Sequence, residues 1–133
     1  MIKITKESSV SIDDVLHLYQ AVGWTNYTNQ PQMLEQSLAH SLATYLARDG
    51  EEIVGVVRLI GDGFSSVFVQ DLIVLPSYQR QGIGSALMKK ALADYKDAYQ
   101  VQLATDESEK TLGFYSSLGF ETLSTYDCTG MIW

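Results

Sequence analysis

Six residues in the middle of the chain, Gln79-Arg80-Gln81-Gly82-Ile83-Gly84, have the composition of an anion site. They follow an apolar run, Leu72-Ile73-Val74-Leu75, that Pro76 stops, and they precede a stretch with helical apolar spacing. A helix that opens there leaves its first N–H groups without intrahelical partners, and the positive end of its dipole faces the same point. Gly82 and Gly84 let the backbone approach a ligand with no Cβ in the way. A pyrophosphate fits such a turn; Arg80 either adds a charge-assisted bond or faces water. The spacing is not that of a P-loop, which needs four residues between its glycines and then Lys followed by Ser or Thr. A dinucleotide fingerprint also fails, because Gly82-Ile83-Gly84-Ser85-Ala86-Leu87 lacks the third glycine and the preceding strand belongs to an antiparallel run.

The elements that must position this turn follow from periodicity. Ile2 to Thr5 alternates as a strand, and Ser11-Ile12-Asp13-Asp14 opens a helix spaced by Val15, Leu18, Tyr19 and Val22 and ended by Gly23. Trp24 to Pro31 has turn chemistry, after which Met33, Leu34, Leu38 and Leu42 predict a second helix. A hairpin runs through Tyr45-Leu46-Ala47-Arg48, a turn at residues 49–52, and Ile53 to Ile60, and a third strand spans Ser66 to Leu75. Ile83, Leu87, Met88, Ala91 and Tyr95 then mark a helix, and Tyr99 to Leu103 a strand. The acidic start Asp106-Glu107-Ser108-Glu109 opens a helix that Gly119 closes, and the tail from Phe120 to Trp133 reads as two strands split near Asp127. This order predicts an α+β fold, a mixed and largely antiparallel sheet with helices on both faces, in a single domain over residues 1–133.

Bulk properties narrow the partners. With 133 residues, 46% hydrophobic and 19% charged, the chain has the balance of a globular domain. No apolar run reaches the roughly 18 residues that a membrane span needs, so a cytoplasmic protein with no membrane partner is expected. The net charge of −7 opposes binding to nucleic acid or anionic lipid. It attracts cationic small molecules, and it is equally a way of staying in solution. Cys128 has no intramolecular partner, and His17 and His40, far apart in sequence, give no metal site.

Taken as a whole, Asp71 to Gly84 resembles the coenzyme A motif of the GNAT acetyltransferase superfamily, in which Gln or Arg, two residues, Gly, one residue and Gly or Ala follow an apolar strand. A second block about thirty residues on, Gly113-Phe114-Tyr115-Ser116-Ser117-Leu118-Gly119-Phe120, looks like that family's later Phe-Tyr-x-x-Leu-Gly-Phe helix. The resemblance covers essentially the whole chain. It implies an acetyl-CoA-dependent N-acetyltransferase acting on a small-molecule amine. The alternatives are an acetyltransferase for protein N-termini or lysines and a non-catalytic acyl-CoA sensing domain.

The resemblance also implies residue roles. The backbone of Arg80, Gln81, Gly82, Ile83, Gly84 and Ser85 would hold the pyrophosphate, with Gln79 opening the turn, and Leu72, Ile73 and Val74 would bond the pantetheine arm as an added strand. Phe114 and Tyr115 would close over the thioester, with Tyr115 as proton donor to the leaving thiolate, unless the two rings simply pack in the core. Where many relatives carry Asn and Ala on this helix, Ser108 and Thr111 stand, and Ser108 is left to supply one cofactor hydrogen bond. Period-2 alternation puts Phe68, Gln70 and Leu72 on one face, and neither Phe68 nor Gln70 can act as a base. That leaves Asp71 as base, a water held by Gln70, or no dedicated base, while Asp71 equally suits pairing with a neighbouring strand or a dimer partner. Trp24, Tyr27 and Gln70 are the expected acceptor-site residues, with packing against the second helix the other reading of the two aromatics. A homodimer is open, since Met131-Ile132-Trp133 offers apolar surface.

Overall fold

The computed structural model describes all 133 residues. The elements are β1 (Ile2–Glu7), α1 (Ile12–Ala21), α2 (Thr25–Thr28), α3 (Pro31–Ala39), β2 (Ala43–Asp49), β3 (Glu52–Gly61), β4 (Ser66–Val74), α4 (Ile83–Asp94), β5 (Gln100–Leu103) and α5 (Glu109–Ser117), with 3₁₀ turns at Pro76–Tyr78 and Leu123–Tyr126. The five strands lie in sequence order in one sheet, and β1 to β4 pair antiparallel. No helix is long and apolar enough to cross a membrane. By internal contacts the chain divides into two compact units, Met1–Gln102 and Leu103–Trp133.

In the first unit, register explains why helices cover both faces. Leu46, Val56 and Ile73 stand in one row across β2, β3 and β4, and they share a buried cluster with Val15, Leu18 and Tyr19 of α1 and Leu34 and Leu38 of α3. Ala47 and Gly55 are the next residues along, so they point to the opposite face. There Leu87 of α4 packs over them, and a Cβ on Gly55 would lie 3.1 Å from Leu87 Cδ1, 3.2 Å from the carbonyl oxygen of Ile73 and 3.3 Å from Ala47 Cβ. The close seat of α4, which aims its N-terminus, thus requires a residue with no side chain at position 55. The β3–β4 turn is fixed by Asp62, whose Oδ1 accepts the N–H groups of Phe64, Ser65 and Ser66 at 2.7, 2.8 and 3.1 Å. Trp24 to Pro31, expected as a turn, contains the short helix α2.

In the second unit, α5 opens at Ser108, whose Oγ accepts from the N–H of Thr111. It closes at Gly119, φ 99°, with Gly119 N–H bonded to Ser116 O and Phe120 N–H to Tyr115 O. The Phe120 ring lies 5.9 Å from that of Tyr115, the apolar contact that accompanies this helix end. The two strands expected beyond Phe120 are absent. Thr122 Oγ1 bonds the hydroxyls of Ser124 and Thr125, and the N–H groups of Thr125, Asp127 and Cys128 are spent on carbonyls three to five residues back. Local turn bonding of this kind uses the N–H groups that a ladder needs, and it won here over the strand-like pattern.

Gly55→Val should destabilise the fold by about 1–3 kcal/mol, the usual cost of overpacking a filled site. Urea denaturation would check it, and a variant as stable as the parent would mean that α4 has room to move outward.

Candidate active site

The turn before α4 leaves a run of backbone donors open. Leu75 N–H is held by Val54 O, Tyr78 N–H by Leu75 O and Gln79 N–H by Pro76 O, so the chain is pinned as far as residue 79. From Arg80 to Ser85 no backbone N–H has a protein acceptor; the first bonded one is Ala86, to Gly82 O at 3.0 Å. Arg80 (φ 65°) and Gly82 (φ 79°) both adopt left-handed backbone, and Gly82 is the N-cap of α4. For Arg80 this conformation is uncommon and costs roughly 1–2 kcal/mol. The Gln79 side chain donates to Val74 O at 3.1 Å and so fastens the turn to the end of β4. Tyr78 is anchored to Asp49 Oδ2 at 2.7 Å, and that bond, with burial and the charges of Asp49 and Glu52 behind it, pushes its hydroxyl up to about 12.

One strand position earlier the ladder is broken. Arg58 faces Asp71 and Leu59 faces Val69, so Gln70 is an extra residue in β4. The bulge overturns the expected alternation. Phe68 pairs with Ile60 and Leu72 with Val57, and since 57 and 60 lie on opposite faces of β3, so do Leu72 and Phe68. The bulge also lets the consecutive side chains of Gln70 and Asp71 both reach Tyr27.

Asp71 is at the centre of a buried network. Its Oδ2 accepts from Arg58 Nε at 2.8 Å and from the Tyr19 hydroxyl at 2.7 Å, and its Oδ1 accepts from the Tyr27 hydroxyl at 2.9 Å. Arg58 adds Nη1 to Ser41 Oγ and Nη2 to the Tyr27 oxygen, each at 3.2 Å. The side chains of the pair are only 4% and 2% exposed, which places both charges out of water. Burial works against the charge on Arg58, but the Asp71 carboxylate outweighs it and holds the guanidinium above its ordinary value. Burial, with the Asp71 charge behind it, likewise pushes the hydroxyls of Tyr19 and Tyr27 up, so both stay protonated as donors.

Above this network lies a cavity of about 390 Å³, walled by Tyr27, Met33 and Ile60 and carrying Gln70, Arg58 and His40 among its polar groups. Tyr27 and Gln70, two of the residues expected around an acceptor, line it; Trp24 does not. Its ring packs instead 6.1 Å from Tyr19 and 6.4 Å from Tyr27, as a support behind the wall. Arg58, Tyr19 and His40 were not singled out from the sequence. A charge inside the apolar run Ile53 to Ile60, like the one inside Val67 to Val74, was the available sign of a cross-strand pair.

Within the second unit, α5 carries Phe114 and Tyr115, both half-buried, with ring centroids 5.0 Å apart. Burial pushes the Tyr115 hydroxyl up, and the charge of Asp106 adds to it. The Ser108 hydroxyl donates to Thr111 Oγ1 at 2.9 Å while capping the helix.

The profile of the acetyltransferase (GNAT) domain matches residues 12–130. A GNAT-family acetyltransferase of Streptococcus pneumoniae TIGR4 is 71% identical with a TM-score of 0.93, over 100% of this chain and 97% of that one. A GNAT-family acetyltransferase of Elizabethkingia anophelis, solved with acetyl-CoA bound, is 24% identical with a TM-score of 0.67, over 90% of this chain and 76% of that one, and shares the fold. Serotonin N-acetyltransferase 2, chloroplastic, of Oryza sativa subsp. japonica is 32% identical over 95 residues, 68% of this chain and 48% of its own length. The chain spans about half the length of the curated relatives it matches. With the profile spanning nearly every element from α1 onward, the chain belongs to the GNAT acetyltransferase family.

Proposed function

We propose that the chain is an N-acetyltransferase that takes the acetyl group of acetyl-CoA and delivers it to the primary amine of a small molecule. The observation that carries this reading is the run of unbonded N–H groups from Arg80 to Ser85 at the positive end of α4. Six donors with no protein acceptor fit the diphosphate of coenzyme A, and no side chain of the protein competes for them. Alternate residues of Leu72, Ile73 and Val74 turn their peptide groups away from β3, where an extended pantetheine arm adds as a strand. One of those groups faces the oxygen on which negative charge develops. Acetyl-CoA supplies a thioester carbonyl open to attack by nitrogen, with a thiolate to leave.

Tyr115 serves as the acid for that thiolate. Burial first, and then the charge of Asp106, hold its hydroxyl protonated and so available as a donor. Phe114 covers the thioester end, and Ser108 acts through the cap that starts α5, since its hydroxyl is already engaged. Asp71, with both oxygens taken, holds Tyr27 and Arg58 in place beneath the acceptor. The cavity beside Gln70 is the size of a small-molecule site. The rice relative named for serotonin supports the same choice of acceptor.

Coenzyme A should raise the melting temperature saturably, equivalent to about 2.7 kcal/mol at 100 times Kd. Gly82→Val, which forces a β-branched residue into left-handed backbone at the cradle, should weaken that binding at least about tenfold. An absence of any shift with coenzyme A would remove the reading.

Tyr115→Phe should lower acetyl transfer, followed by thiol release over a panel of amines, by roughly 10- to 1,000-fold with coenzyme A affinity nearly unchanged. An unaltered rate would take Tyr115 out of the reaction.

Asp71→Leu and Arg58→Met should each cost about 3–5 kcal/mol by leaving a buried charge alone, and the double variant distinctly less than their sum. Additive losses in urea denaturation would show that the pair is not coupled.

A further inference from the structure

The proposed reaction, on which this inference rests, needs a group to take a proton from the amine nitrogen. Gln70 cannot, and Asp71 has Arg58, Tyr19 and Tyr27 on its two oxygens at 2.7 to 2.9 Å. Another side chain on the same cavity is differently placed. His40 follows α3 as its C-cap and lines the cavity together with Tyr27 and Gln70. Its Nδ1 lies 2.8 Å from the carbonyl oxygen of Gln36, which can only accept, so the hydrogen of the neutral ring sits on Nδ1. The lone pair is then on Nε2, and Nε2 has no partner in the protein. We infer that His40 Nε2 is the proton acceptor for the amine.

Two further features favour this assignment. The second histidine is set the other way: Nε2 of His17 lies 2.7 Å from Ile53 O, and His17 does not line the cavity. The His40 ring stands at the C-terminal end of α3, on the side of the helix that faces the cavity with Tyr27 and Gln70. The Gln36 oxygen, which also takes the His40 backbone N–H at 3.1 Å, holds the ring and the tautomer through the 2.8 Å bond to Nδ1.

The step balances with the groups named. The amine nitrogen forms a bond to the thioester carbonyl carbon, the C–S bond breaks, the nitrogen's proton passes to His40 Nε2, and the sulfur takes the proton of Tyr115. The amide and the thiol leave, and solvent returns His40 and Tyr115 to their resting states. The amine class follows from the walls: Tyr27, Met33 and Ile60 accept an apolar body, and Gln70 and His40 meet its polar end.

The test begins with a panel of ethanolamine, spermidine, glucosamine and 2-phenylethylamine, and continues with the amine turned over fastest. His40→Asn keeps an N–H donor near the place of Nδ1 and removes the base. It should lower kcat/KM by about 30- to 1,000-fold with coenzyme A affinity within about twofold. His40→Ala should lose as much and regain a part of it when imidazole is added. In the cofactor-free protein, at a pH high enough for neutral imidazole, long-range ¹H–¹⁵N correlation should show the His40 hydrogen on Nδ1. Unchanged kcat/KM in both variants, or a hydrogen on Nε2, overturns this assignment alone, whereas binding of coenzyme A with no turnover of any amine overturns the proposed reaction and this assignment with it.

Discussion

Arg58 and Asp71 face each other across β3 and β4 with almost no contact with water, and the first unit is organised around that fact. Withdrawing two charges from solvent costs several kcal/mol per ion, and attraction alone does not return it. What offsets it is the completeness of the bonding: Tyr19 from α1, Tyr27 from α2 and Ser41 from the segment before β2 all complete it. Each of those bonds pins a separate element to the same point of the sheet. An apolar cluster such as Leu46, Val56 and Ile73 holds helices against a face but tolerates sliding; a network of directional bonds does not. The cavity wall at Tyr27 owes its position to charge more than to packing.

The bulge at Gln70 gives β4 two kinds of surface. On the C-terminal side of it, Leu72 to Val74 run in regular register with β3 into the pinned turn and the free N–H groups of α4. On the N-terminal side the parity has changed, and at the bulge itself Gln70 and Asp71 turn together toward α2. A regular strand would have sent one of these two to each face. The irregularity therefore divides a strand of nine residues into a stretch that runs in register into the turn before α4 and one whose side chains reach α2.

The sequence showed the strand, turn and helix around Gly82 because glycine, proline and apolar periodicity are local properties, and the Gly119 helix end was legible for the same reason. On the cavity side Tyr27 and Gln70 were legible, but the network beneath them was not. Asp71 could be seen, but its partner is set by register, and a single extra residue in β4 decides which face Gln70 meets. Tyr19 read as a helix core residue and Tyr27 as an acceptor-site residue or packing, and nothing in either showed that both hydroxyls bond Asp71. Beyond Phe120 the pattern looked strand-like, yet the N–H groups of Thr125, Asp127 and Cys128 closed on carbonyls of their own neighbourhood and were no longer open to a strand partner. Patterns that end within one element survived, and those that needed a second element to be interpreted did not.

Proton flow adds a final constraint on where chemistry can occur. A carboxylate that must anchor three donors cannot also give up its lone pairs to a substrate without loosening what it anchors. A base in this cavity is therefore better drawn from a side chain whose structural bond uses the opposite atom from its catalytic one. An imidazole meets that condition, because its two nitrogens divide the tasks: one donates permanently to a backbone carbonyl, the other stays open. Asp71 and His40 are thus not interchangeable candidates for one role. The first fixes the geometry of the site, and the second, tethered to the end of α3 by Gln36, can change its protonation without disturbing it.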